Sequence, residues 1–121
     1  MHWKFNFKEK PLRLCIKITG NIVKEEASKM VVAGLALARA KNCKRFIVNY
    51  CDAVLKDSRF DSYEFNSNLD KLGMKRTDRI AIVINQDIEA HRFAEMVANN
   101  RGWNLIKYFS NKNSAETWIR E

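Results

Sequence analysis

The chain is poor in the residues that punctuate and staple small folds: four glycines, one proline and three cysteines among 121 residues. Three cysteines cannot close a paired framework. None stands in a CxxC or Cys-His spacing, so neither a disulfide scaffold nor a metal site is expected. Cys43 and Cys51 flank one expected strand and stand about 26 Å apart at ~3.3 Å per residue, far beyond disulfide reach. Gly20, Gly34, Gly73 and Gly102 are too scattered for a phosphate-binding loop, which excludes P-loop and dinucleotide-binding folds. The two histidines, His2 and His91, have no glycine-flanked nucleophile beside them. No apolar run approaches the ~20 residues of a membrane span. The opening "MHWKFNFKEKPLRL" alternates apolar and polar residues and lacks the continuous apolar stretch of a signal peptide. These absences lead to the expectation of a cytoplasmic protein with reduced thiols, no cofactor, no metal, no transmembrane association and no enzymatic activity.

What is present fits one domain over residues 1–121, with 46% hydrophobic and 30% charged residues. Twenty-two Lys and Arg outnumber fourteen Asp and Glu, a net charge of +8. A basic chain invites a nucleic-acid reading, but no helix-turn-helix, zinc-finger or RNP-type signature accompanies the charge. The charge is a hint about partners and does not identify one; a protein partner is expected, an acidic one among the options, rather than nucleic acid.

Periodicity supplies the element order. In "HWKFNFK", Trp3, Phe5 and Phe7 alternate with His2, Lys4, Asn6 and Lys8, the period of a half-buried strand. "LRLCIKI" repeats the pattern, and the two read as an antiparallel hairpin with one dry and one wet face. Ala27, Met30, Val31, Gly34, Leu35 and Ala38 recur at helical spacing. "RFIVNY" is a buried strand, "FDSYEFNSNLDKLG" a helix closed by Gly73, and "RIAIVIN" the central strand. "DIEAHRFAEMVANNRG" is a helix with Phe93, Met96 and Val97 inward, "WNLIKYF" a fifth strand, and "NSAETWIRE" a last helix. Asn113 and Glu116 stand at capping-box spacing there. The expected fold is α/β: a single mixed five-stranded sheet with four helices, in the order β-β-α-β-α-β-α-β-α. Strand–helix alternation after the hairpin implies parallel pairing.

Three groups of side chains are candidate sites. The wet face of the hairpin gathers His2, Lys4, Lys8, Arg13 and Lys17, a patch for an anionic partner. Its alternative is a solvated face that discourages edge aggregation. Asp57 and Ser58 precede the second expected helix. Either caps it, or Ser58 is a phosphosite between Lys56 and Arg59, where a phosphate would meet the positive end of the helix. Phe60, Phe65, Met74 and Trp103 could line an apolar pocket between sheet and helices, and they serve equally as core. Trp3 and Trp118, placed near an edge strand and on the short last helix, make a homodimer an open expectation.

"RIAIVIN", "FAEMVANNRG" and "YFSNKNSAETWI", in this order and spacing, resemble the STAS domain (sulfate transporter and anti-sigma-factor antagonist). They resemble most its stand-alone bacterial SpoIIAA-like branch. The resemblance implies a protein-interaction module of the anti-sigma-factor-antagonist kind. It also implies a regulatory serine at the start of the helix after a central strand, where Asp57 and Ser58 fall. Arg59, Phe60 and Asp61 stand where the antagonist motif has a small residue, a glycine and an aliphatic residue. SpoIIAA-like chains also resemble lipid-binding CRAL-TRIO domains in topology, so a small-ligand domain with an apolar pocket is the alternative.

Overall fold

The computed structural model describes residues 1–54, 68–85 and 88–121, with the side chains of residues 88–91, 94 and 97 outside that description. Strands β1 (His2–Lys8) and β2 (Arg13–Asn21) pair antiparallel, with Phe5 opposite Ile16 and Lys4 opposite Lys17. Strands β3 (Arg45–Val54), β4 (Arg79–Val83) and β5 (Ile106–Phe109) then join in parallel. The sheet runs β1-β2-β3-β4-β5 in sequence order. A mixed five-stranded α/β sheet is therefore what the alternating pattern specified.

Helices α1 (Lys24–Ala40), α2 (Ile88–Asn100) and α3 (Lys112–Ile119) complete the described elements, with a 3-10 turn over Leu69–Leu72. Four α-helices were expected, and three are found among the described residues. The expected second helix, Phe60 to Gly73, lies mainly outside them, and its described end is the 3-10 turn. Gly73 closes that turn at φ 103°, a left-handed backbone that glycine adopts without Cβ strain.

The sheet separates two apolar layers of unequal size. On the inner face, Leu14, Ile16, Ile18, Phe46, Val48, Ile80, Ile82 and Ile106 pack with Ala27, Met30, Leu35 and Ala38 of α1 and Ala98 of α2. Trp3, Phe5 and Phe7 of β1 lie half-buried against this core. Gly34 lets α1 approach the hairpin, since a Cβ there would come within 3.1 Å of the Phe5 ring. On the outer face, Ile47, Ala81 and Val83 meet Ala115 and Ile119 of α3. Strand β4 is thus covered on both sides, which is why it is apolar from Ile80 to Val83, after Arg79 at its start.

Three local expectations need correction. Strand β2 runs past the expected "LRLCIKI" to Asn21, with Gly20 paired to Ala53. The cap of α3 is Asn111, whose side chain accepts from the Ser114 N–H at 2.8 Å. The cap lies two residues before Asn113, so Glu116 falls outside the capping position and turns to Arg13 instead. Phe93 and Met96 of α2 are 54% and 51% exposed, not inward. Ala98 faces the sheet at 0%. At about 100° per residue, Phe93 and Met96 lie roughly 140–160° round the helix from it.

Candidate functional site

The outer face of the hairpin is built by the pleat. Side chains alternate along each strand, and cross-strand pairing brings the outward ones together. His2 stands opposite Thr19, Lys4 opposite Lys17, and Lys8 opposite Arg13. His2, Lys4 and Lys17 are exposed, while Lys8 is half-buried. Like charges facing each other are unfavourable for the strand pair, so Lys4 and Lys17 are not there to hold the hairpin. Sheet packing adds one anion that the hairpin sequence does not contain. Asp52 of β3 places Oδ2 3.4 Å from Lys17 Nζ, with both side chains more than half exposed. A pair this open contributes little, roughly 0–1 kcal/mol.

Arg13 does not belong to this open surface. It is 7% exposed. Its Nε lies 2.9 Å from Glu116 Oε2, and its guanidinium donates to the carbonyls of Glu9 and Pro11 at 3.2 and 3.0 Å. The Arg13 and Glu116 atoms are buried and badly aligned for a hydrogen bond, so charge complementarity is what joins them. The physical reason is α3, which crosses the outer face at the start of the parallel strands. Arg13 is one of a row there. Leu14 pairs with Phe46, and Arg45 with Arg79, which puts Arg13, Arg45 and Arg79 at one level across three strands. Arg45 Nε donates to the Ile119 carbonyl at 3.0 Å, and Arg79 donates to the Trp118 carbonyl at 2.9 Å. The Arg79 guanidinium also covers the Trp118 ring at 4.2 Å. These are the last carbonyls of α3, the negative end of its dipole. The row of arginines seats a helix, and the side chains left open to a partner are His2, Lys4 and Lys17.

Cys15 lies half-buried on the same face between Arg13 and Lys17. Burial raises its thiol above the ordinary value, against the opposing pull of Lys8, and nearby Glu116 adds to the rise. At neutral pH it is a thiol rather than a nucleophilic thiolate. Cys43 is buried, with its sulfur 3.3 Å from the Arg45 carbonyl. Among the described residues, no three His, Cys, Asp or Glu side chains gather as a metal site.

An apolar cavity of about 50 Å³ lies on the inner face, lined in part by Met30, Leu35, Phe46, Tyr50, Leu69 and Met74. Small-molecule sites usually enclose roughly 300–1,000 Å³. Burial, with Tyr108 nearby, holds the Tyr50 hydroxyl well above the usual phenol range. Of the expected pocket residues, Met74 lines the cavity. Trp103 is packed elsewhere in the core beneath the Arg76 guanidinium, 4.5 Å from its ring. Phe60, Phe65, Asp57 and Ser58 lie outside the described residues.

Two further features were not foreseen. Glu95 of α2 accepts the Tyr108 N–H at 2.9 Å, occupying a backbone donor on edge strand β5. Helix α1 exposes Val32, Ala33, Ala36, Leu37 and Ala40, with Val32 at 51% and Leu37 at 43%. Trp3 and Trp118, expected near the surface, are both half-buried. Trp3 packs on the main core, and Trp118 lies 5.7 Å from the Phe109 ring.

The sheet order, the opening hairpin and the helices on both faces define an α/β domain of the STAS type. A family model described as SpoIIAA-like matches residues 13–120, and the chain belongs to that family. It is similar in structure to an uncharacterized protein of the DUF3478 family from Shewanella loihica PV-4, which has a SpoIIAA-like fold. The two share 19% identity over 97% of this chain and 93% of the other, with a TM-score of 0.61. No curated protein matches the chain.

Proposed function

We propose that the chain is a non-enzymatic, cytoplasmic protein-interaction module whose hairpin outer face receives an acidic surface of a partner protein. The observation that carries this reading is the Lys4–Lys17 pair. Two exposed cations face each other across the hairpin, away from the arginines that seat α3, with His2 on the same face. Such an arrangement costs the isolated fold and is repaid when an anionic surface settles on it. No described helix is long and apolar enough to cross a membrane.

The antagonist-type version adds a phosphate at Ser58, and it rests on Asp57-Ser58 following β3 and on the family resemblance. The lipid-binding alternative gains no support from a cavity of about 50 Å³.

The test is cross-linked capture from the native host, with the wild-type chain and a Lys4→Glu/Lys17→Glu variant as baits. The expected result is one acidic partner held by the wild type at low salt, released as salt rises, and lost with the variant. Mass spectrometry of the same wild-type sample reads Ser58. Equal recovery by both baits would refute the docking face, and Ser58 unmodified in the partner-free and the bound pool would remove the phosphate.

A further inference from the structure

Resting on the acidic partner proposed above, we infer that the free edge of β1 takes an extended segment of that partner as a further strand, antiparallel to β1 and acidic at every second position. In an antiparallel pair, alternate residues turn both backbone groups toward the neighbouring strand, and the residues between turn theirs away. Lys8 and Arg13 are the pair that closes the hairpin. The opposite alternation would bond Glu9 to Leu12 and Met1 to Gly20, and neither backbone bond is formed. His2, Lys4, Asn6 and Lys8 are therefore the residues bonded to β2. Trp3, Phe5 and Phe7 direct N–H and C=O to the edge, where no other strand or side chain among the described residues takes them. The far edge of the sheet differs. Strand β5 spans four residues, and Glu95 accepts its Tyr108 N–H. A row of unpaired backbone groups is a template for one more strand.

The side chains of β1 specify what that strand carries. His2, Lys4 and Lys8 lie on the outer face, and the strand holds no carboxylate. Trp3, Phe5 and Phe7 pack on the core from the inner face and are still only half-buried. An added strand keeps the period of two. Its outward residues meet His2, Lys4 and Lys8, where opposite charges favour a cross-strand pair and like charges oppose it. Its inward residues extend the row of Trp3, Phe5 and Phe7 and are apolar. The complement of β1 is thus an alternation of acidic and apolar residues. Antiparallel pairing is the more stable of the two directions. It sets the apolar residues directly opposite Trp3, Phe5 and Phe7, so their N–H groups make the ladder while those of the acidic residues face water. A second copy's β1 would bring cation against cation along this edge. A nucleic-acid backbone carries anions but no row of N–H groups for the three carbonyls.

The probe is a nine-residue peptide alternating Val and Glu, blocked at both ends, added to the full chain at low salt and followed by nuclear magnetic resonance. Amide exchange at Trp3, Phe5 and Phe7 should slow by about tenfold or more, while Lys4 and Asn6, already bonded to β2, change little. Methylating the Val amide nitrogens removes the ladder donors without altering charge, and affinity should fall by about tenfold or more. Methylating the Glu nitrogens instead should leave affinity within about threefold, since those groups face water. No protection of the three amides at millimolar peptide overturns the inference. So does a Val-methylated peptide that binds like its parent, or a loss that follows Glu methylation instead. The edge and the acidic-partner reading fail differently. If only the edge fails, the parent and Val-methylated peptides bind alike and both are lost with Lys4→Glu/Lys17→Glu. If that double variant binds the parent peptide as the wild type does, the acidic-partner reading falls and the inference with it.

Discussion

At the scale of the residue, the fold uses ionisable groups in two different ways. Asp78 is buried at 1% and fully answered by Arg39 and by the Lys75 N–H at 2.8 Å, so it fixes the end of α1 against the start of β4. Tyr50 is a group whose neutral form the fold protects. Burial raises its hydroxyl above the ordinary value near 10.0. The folded chain therefore keeps a proton that the unfolded chain gives up, and the resulting stability is whole below pH 10 and declines as pH climbs beyond it. Thermal unfolding across pH 9 to 11 should show a falling midpoint, and Tyr50→Phe should flatten it. Lysines also lose charge in this range, so the measurement is the difference between the two proteins. Identical slopes would mean that Tyr50 ionises in the fold as it does in water.

At the scale of the element, the strands were the most legible part. After Arg79, "RIAIV" has no polar position, and only a strand covered on both faces accommodates that. The alternation of "HWKFNFK" likewise fixed which side of β1 is wet. The seat of α3 was not legible. Nothing local in "NSAETWIRE" says which face of the sheet the helix will cross. Arg13, Arg45 and Arg79 are 66 residues apart from first to last, and only the register of three strands aligns them. For that reason Arg13 read as a surface cation when it is a buried partner of Glu116. The exposure of Phe93 and Met96 was hidden by the same limit, because periodicity finds an apolar stripe without saying what it faces. The arginine row yields a contrast that can be measured. Arg45→Ala and Arg79→Ala each remove a charged donor from a carbonyl at the end of α3 and should cost about 1.5–3 kcal/mol in urea unfolding. Lys4→Ala, on the open face, should stay within about 0.5 kcal/mol of wild type. Equal costs at all three positions would erase the distinction between cations that hold the fold and cations that await a partner.

At the scale of the whole molecule, the sheet is a wall between unequal halves. The inner side carries the main core, α1 and α2. The outer side carries one short helix and the basic end of the hairpin. The same asymmetry governs how the molecule opens. Helix α3 rests on the small outer cluster of Ile47, Ala81, Val83 and the half-buried Phe109, and is further held by charge. Segments with few apolar contacts open well below the global unfolding free energy. In native-state hydrogen exchange, the α3 amides should exchange first by local opening, while those of β2, β3 and β4 exchange only through global unfolding. Added salt should hasten α3 selectively, because it screens the arginines from the helix end without weakening the inner core. If α3 and β4 exchange at one common free energy at every salt concentration, the two faces are a single cooperative unit and the outer helix is bound as firmly as the core.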